Sequence, residues 1–296
     1  MPALTMLAAV FLFSLMALCV KLGSAHYHPG EIVLYRGVIG TLCMVALARM
    51  QRGSLRTTVP RLHVLRNLAG VSALTLWFFS LAHLPLSTSV TLNYLSSIWM
   101  AVLLLGAALW PGSGKPAPDG RLVAMVVLGF AGVALVLQPT LQRDQLGYGL
   151  AGLISGLLSA VAYLQVGALG RAGEPETRVV FYFSLANIAA GLLTSSVTGM
   201  HAHTLRGGLL LLATGVIATA AQLLMTRAYA TGRPLTNASL QYLGIAFGCA
   251  YGVWLFNDAV SASTVVGIML IVLAGLGATL LRGRLALSVT SSGTPR

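Results

Sequence analysis

The 296-residue chain is 57% hydrophobic and only 8% charged, with a mean hydropathy of +0.86. An average soluble domain is about one quarter charged, so this composition excludes a soluble globular protein, a disordered chain and a secreted disulfide scaffold. Eighteen lysines and arginines against six acids give a net charge of +12; in a soluble domain that would point to nucleic acid, but in a membrane protein it records topology.

A helix needs about 20 apolar residues to cross a bilayer. Charged and Gly/Pro-rich punctuation leaves ten such runs, at 2–22, 31–48, 64–82, 86–110, 121–138, 147–169, 179–199, 208–226, 235–256 and 262–281. The first lacks a basic n-region and a small-x-small cleavage site, so it reads as a retained helix and not a signal peptide. Residues 284–296, rich in Ser and Thr, read as a disordered cytoplasmic tail. The predicted fold class is an all-α integral membrane protein with ten transmembrane helices and no soluble domain. Cys19, Cys43 and Cys249 all lie inside apolar runs and read as small hydrophobes, not as a disulfide framework.

The basic residues sort to two sides. One side collects Arg49, Arg52, Arg56, Arg61 and Arg66 after the second run, Lys115 and Arg121 after the fourth, Arg171 and Arg178 after the sixth, Arg227 and Arg233 after the eighth, and Arg282, Arg284 and Arg296 at the end. The other side keeps Lys21, Arg36, Arg143 and Arg206. The positive-inside rule then places both termini in the cytoplasm of a bacterial-type inner membrane, with Lys21 alone favouring the reverse.

The chain also matches itself. Leu92-Asn93-Tyr94-Leu95 corresponds to Leu240-Gln241-Tyr242-Leu243, each preceded by a Pro-Leu pair (Pro85-Leu86, Pro234-Leu235). Ser14 and Ala17 match Ser159 and Ala162, which lays Glu31 on Glu176, and Ala131-Gly132 matches Ala274-Gly275. The order is preserved, so the chain divides into two five-span repeats, residues 1–140 and 141–283. Five is odd, so the second repeat enters the membrane inverted relative to the first. That is the architecture of many secondary transporters, with a site near the midplane.

Several motifs carry a family resemblance. His28-Pro29-x-Glu31-x-x-x-x-Arg36 enters the second run, and Leu84-Pro85-Leu86 leads into the small residues Ser87 to Thr91 before Leu-Asn-Tyr-Leu. The stretch from Ala230 to Ser239 precedes Leu-Gln-Tyr-Leu. Together these resemble the EamA family of the drug/metabolite transporter superfamily, over residues 4 to 282. The resemblance implies a ten-helix bundle that moves small organic metabolites such as amino acids, often outward. Many members end the fourth and ninth spans in Gly-Glu; here those spans end in Ala108-Leu109-Trp110 and Phe256-Asn257-Asp258, so only Asp258 could supply that acid.

Two groups of residues are candidates for function. Neutral polar and aromatic side chains in the middle of spans (Asn93, Tyr94, Ser96, Ser97, Gln241, Tyr242, Trp77 and Trp99) suit a substrate cavity, with Asn93 and Gln241 at equivalent places in the two repeats; interhelical hydrogen bonding is the competing reading. Asn187, Gln165 and Gln222 are read as interhelical bonds. A cavity with no buried acid or base suits a neutral, zwitterionic or aromatic cargo and offers no proton relay. Lys21, Glu31 and Arg36 form either an external gate that attracts a carboxylate or a pair in which Glu31 neutralises a snorkelling Arg36. Gly244-x-x-x-Gly248-x-x-x-Gly252 reads as a close-packing helix face. The His26/His28 and His201/His203 pairs read as solvated loops and not as metal ligands. Nothing resembles HExxH, a phosphate loop or a nucleophile elbow, so no enzyme, cofactor or metal is expected. The expected partners are the lipid bilayer and a small organic substrate. Uptake of a vitamin or nucleoside-like cofactor is the alternative within transport, and a lipid enzyme or structural membrane protein the alternative of another class.

Overall fold

Backbone that crosses lipid must satisfy its own N–H and C=O groups, and a chain this apolar answers with helices throughout. The computed structural model describes residues 2–109, 120–137, 145–232, 237, 240–258 and 261–291, and every regular element among them is α-helical. The helices are α1 (Pro2–Gly23), α2 (Pro29–Met50), α3 (Pro60–His83), α4 (Leu86–Tyr94), α5 (Ser96–Leu109), α6 (Gly120–Leu137), α7 (Leu146–Arg171), α8 (Glu176–Thr198), α9 (Leu205–Thr231), α10 (Leu243–Phe256) and α11 (Ala262–Ser291). Six of them, α1, α2, α3, α7, α8 and α9, are long and apolar enough to span a bilayer by themselves. Trp110, Lys115, Arg143, Arg233, Pro234, Leu235 and Arg296 lie outside the described residues.

Local signals set the ends. Pro29 and Pro60 each occupy the first turn of a helix, where a missing N–H costs nothing. Thr204 caps α9 by accepting from Gly207 N at 3.0 Å, and Asn257 ends α10 in the left-handed conformation at φ 51°. The run read as one span at 86–110 is two helices that meet at Leu95. α11 continues past residue 284 to Ser291, since no glycine or proline interrupts that stretch.

The most extensive packing joins distant parts of the chain: α1 lies on α9, α2 on α8, α3 on α7 and α6 on α11. At the α2–α8 seam the two backbones touch. A Cβ on Gly37 would sit 2.7 Å from Ile188 N, and one on Gly191 would collide with the Leu34 backbone. The resulting core centres on Trp77, Phe78, Leu92, Tyr94, Phe183 and Tyr242, with α4 buried along its whole length.

Candidate functional site

The site begins where helices break. Thr91 Oγ1 turns back onto Ser87 O at 2.7 Å, which spends a helical carbonyl's second lone pair just before the interruption at Leu95. In the second half the chain turns at Gln241–Tyr242, and α10 starts with tightened i to i+3 bonds, Gly244 N to Gln241 O at 2.9 Å and Ile245 N to Tyr242 O at 3.1 Å. The two breaks face each other, with Ser96 Oγ donating to Gln241 Oε1 at 3.4 Å. Asn93 Nδ2 reaches Ser155 Oγ at 3.2 Å and Ser159 Oγ at 3.4 Å. Gln241 Nε2 donates to Tyr229 OH at 3.1 Å. α7 comes close enough for this because Gly156 lies against Leu92 O, where a Cβ would stand at 2.7 Å.

Beside the breaks is a cavity that admits the centres of water molecules over about 50 Å³, room for a few waters. Its polar lining includes Arg36, Arg66, Trp77, Asn93, Gln222 and Gln241. Arg36 is 4% exposed and Arg66 2%. Both guanidinium carbons lie over the Phe183 ring, at 5.2 and 4.2 Å from its centroid, a geometry in which the ring quadrupole attracts the cation. Arg66 lies forward along its own helix over Gly70, where any Cβ would collide with Nη1 and stand 3.1 Å from Phe183. A glycine one turn on is therefore what lets the guanidinium reach the cavity.

These positions differ from expectation at four points. The cavity does contain buried bases. Arg36 lines its interior instead of lying at an external gate, and Arg66 belongs to it and not to a charged face. The signal for Arg66 is Pro60: a helix that begins there carries residue 66 about 9 Å along its axis from the start, past the first turn, at 1.5 Å per residue. Glu31 does not neutralise Arg36 but bonds His201. Of the mid-span set, Trp77, Asn93, Tyr94 and Gln241 line the cavity, and Ser96 is tied to it through Gln241. Trp99 packs on Phe130 instead, and Tyr242 and Ser97 are not among the lining residues. Gln222, read as an interhelical bond, lines the cavity, whereas Asn187 and Gln165 do not.

No family model matches the chain. The pseudopaline exporter CntI of Pseudomonas aeruginosa is 34% identical over 269 residues, covering 90% of this chain and 91% of that protein. An uncharacterized transporter of Helicobacter pylori is 23% identical over 279 residues, with 91% of each chain covered. The chain belongs to this family of membrane transporters. It is a metabolite exporter and not an enzyme. A crystal structure 21% identical in sequence superposes with a TM-score of 0.69 over 96% of this chain and 98% of the other, which supports the fold.

Both ends of the exporter's bundle are latched by a carboxylate and a histidine. At the end where α2 begins, Glu31 is fully buried and bonds His201 Nδ1 at 2.6 Å, His201 N at 2.8 Å and His28 N at 3.0 Å. Around it the histidine pairs pack together: His28 lies against His201, His26 Nε2 bonds Ala202 O at 3.0 Å, and Tyr35 OH meets His203 Nε2 at 2.7 Å. The histidines are exposed, as expected, yet ordered against one another, and no group of three or more potential metal ligands forms among the described residues. Lys21 Nζ donates to Leu84 O at 2.6 Å and Leu81 O at 3.1 Å, closing the last turn of α3. At the opposite end Glu174 accepts from Thr57 Oγ1, His63 Nε2 and Arg178 Nη1 at 3.0, 3.1 and 3.0 Å. Arg178 also reaches Ser54 O at 3.0 Å.

Proposed function

We propose that the exporter is a ten-span member of the EamA family of the drug/metabolite transporter superfamily, built from inverted repeats over residues 1–140 and 141–283. It releases a small organic metabolite by alternating access around the cavity at the two helix breaks. The observation that carries this reading is that equivalent motifs, Asn93-Tyr94 and Gln241-Tyr242, stand at two helix breaks joined by the Ser96–Gln241 bond. Discontinuous helices at a repeat interface are where transporters bind cargo. The pairing of each long helix of the first half with one of the second supports the repeat. The exposed arginines Arg49, Arg52, Arg56, Arg61, Arg171 and Arg227 gather at the Glu174 end, which supports that end as cytoplasmic and an inner-membrane location with both termini inside. Asn93, Gln241, Tyr94 and Trp77 hold the cargo, with Ser96 supporting Gln241. The cargo is related to that of the pseudopaline exporter, with which the chain shares a third of its residues.

The test is metabolite release. Cells expressing the chain should accumulate outside a compound that vector-only cells retain, as read by mass spectrometry of medium and cytosol. Asn93→Ala, Gln241→Ala protein that inserts normally should lower that release about tenfold or more. An unchanged metabolite profile rejects the reading.

A further inference from the structure

We infer that the cavity recognises an anionic cargo through two carboxylate groups, one held by Arg36 and the other by Arg66; this rests on the transport reading above. A guanidinium carries five N–H donors and no acceptor, and an embedded charge is normally paired. Here Arg36 Nε, Arg66 Nε and Arg66 Nη1 are buried without a hydrogen-bond partner. The described acids are placed elsewhere. Glu31 is bound to His201, Glu174 to His63 and Arg178, and Asp258 faces Ser87 N at 3.4 Å, while Glu176 sits in the first turn of α8. Asp119 and Asp144 lie outside the described residues. None of the described acids lines the cavity.

The remaining lining makes the same demand. Trp77 Nε1 and Gln222 Nε2 are also buried and unpartnered, so every orphaned polar atom of the cavity wall is an N–H donor. Buried polar groups without partners call for an explanation, and a wall whose unpartnered groups are all donors is complemented by a ligand rich in acceptors. The charge and the geometry then specify the ligand. Two cations from α2 and α3 share one ring, which stacks against them and leaves their N–H edges free for planar, two-pronged acceptors. A dicarboxylate neutralises both and supplies an acceptor fork to each. A single phosphoryl group concentrates its charge at one point.

Purified wild-type protein is titrated with glutarate, its neutral isostere glutaramide, the monocarboxylate butyrate and inorganic phosphate, following intrinsic tryptophan fluorescence and thermal melting. Glutarate should bind at least about tenfold more tightly than butyrate and phosphate, and glutaramide should not bind measurably. Arg36→Gln and Arg66→Gln should each reduce glutarate to the butyrate level. Gly70→Ala, which keeps both arginines but displaces one, should weaken glutarate also. No saturable response to glutarate, or glutaramide or phosphate binding as tightly, overturns the inference without recourse to any variant. The two readings separate cleanly. Glutarate binding without metabolite release rejects transport alone, whereas release that survives Arg36→Gln and Arg66→Gln rejects the carboxylate site alone.

Discussion

His63 donates to Glu174 across 3.1 Å, tying the first turn of α3 to the connection before α8. Burial pushes the Glu174 carboxyl up, but its bonds to His63, Thr57 and Arg178, together with the Arg178 charge, outweigh burial and hold it below the usual carboxylate range. A carboxyl depressed in the folded state contributes stability above its unfolded pKa and loses it as pH falls through the folded value. The melting temperature should therefore drop on acidification below the ordinary carboxylate range, and Glu174→Gln protein should lose less over that interval. At neutral pH the same variant should be less stable than wild type by about 1–3 kcal/mol, read by denaturation in detergent.

The opposite latch should respond locally. Glu31→Ala removes the acceptor from His201 Nδ1, His201 N and His28 N. Hydrogen exchange in the connection of residues 199–204 should quicken about tenfold, the equivalent of one lost bond to a charged group. Exchange at residues 51–59, near the other latch, should stay unchanged.

Lys21 holds α3 through two carbonyl bonds and does not line the cavity. Lys21→Met should cost about 1–2 kcal/mol of stability by leaving the Leu81 and Leu84 carbonyls short of a donor, while the relative binding of different cargos stays as in wild type. A changed preference would return Lys21 to the substrate path.

The glycine face of α10 offers a packing test. Gly244 lies against the Tyr94 ring, and a Cβ on Gly248 would stand 2.9 Å from Val90. Gly248→Leu should destabilise by about 1–3 kcal/mol through overpacking against α4, measured as a lower melting temperature. Gly147→Ala, where nothing lies within 4 Å, is the control and should be neutral.

The all-helical, membrane-spanning character and the glycine face are legible because hydropathy and spacing are properties of the chain itself. Arg66 is not. Counting positive charge treats each arginine near a span end as a topological mark, and only its depth below Pro60 and the notch at Gly70 distinguish it from Arg61. Phe183, which gathers both arginines, is more than a hundred residues from either, and no local pattern announces such a meeting. The latches escape for the same reason: in sequence His201 pairs with His203, two residues away, while its bonded partner Glu31 comes from the other half of the chain.

The α2–α8 seam gives these parts a mechanical relation. α2 carries Glu31 in its first turn and leads toward the Glu174 end; α8 starts beside Glu174 and leads back toward His201. At Gly37 and Gly191 the two rods touch with no side chain as cushion, so neither tilts without carrying the other. Arg36 stands one residue before Gly37, and Phe183 one before Ser184, whose carbonyl a Gly37 Cβ would approach to 2.8 Å. A close-packed pair of helices thus runs from one latch to the other, with Arg36 on one of them and, on the other, Phe183, the ring over which both guanidinium groups lie.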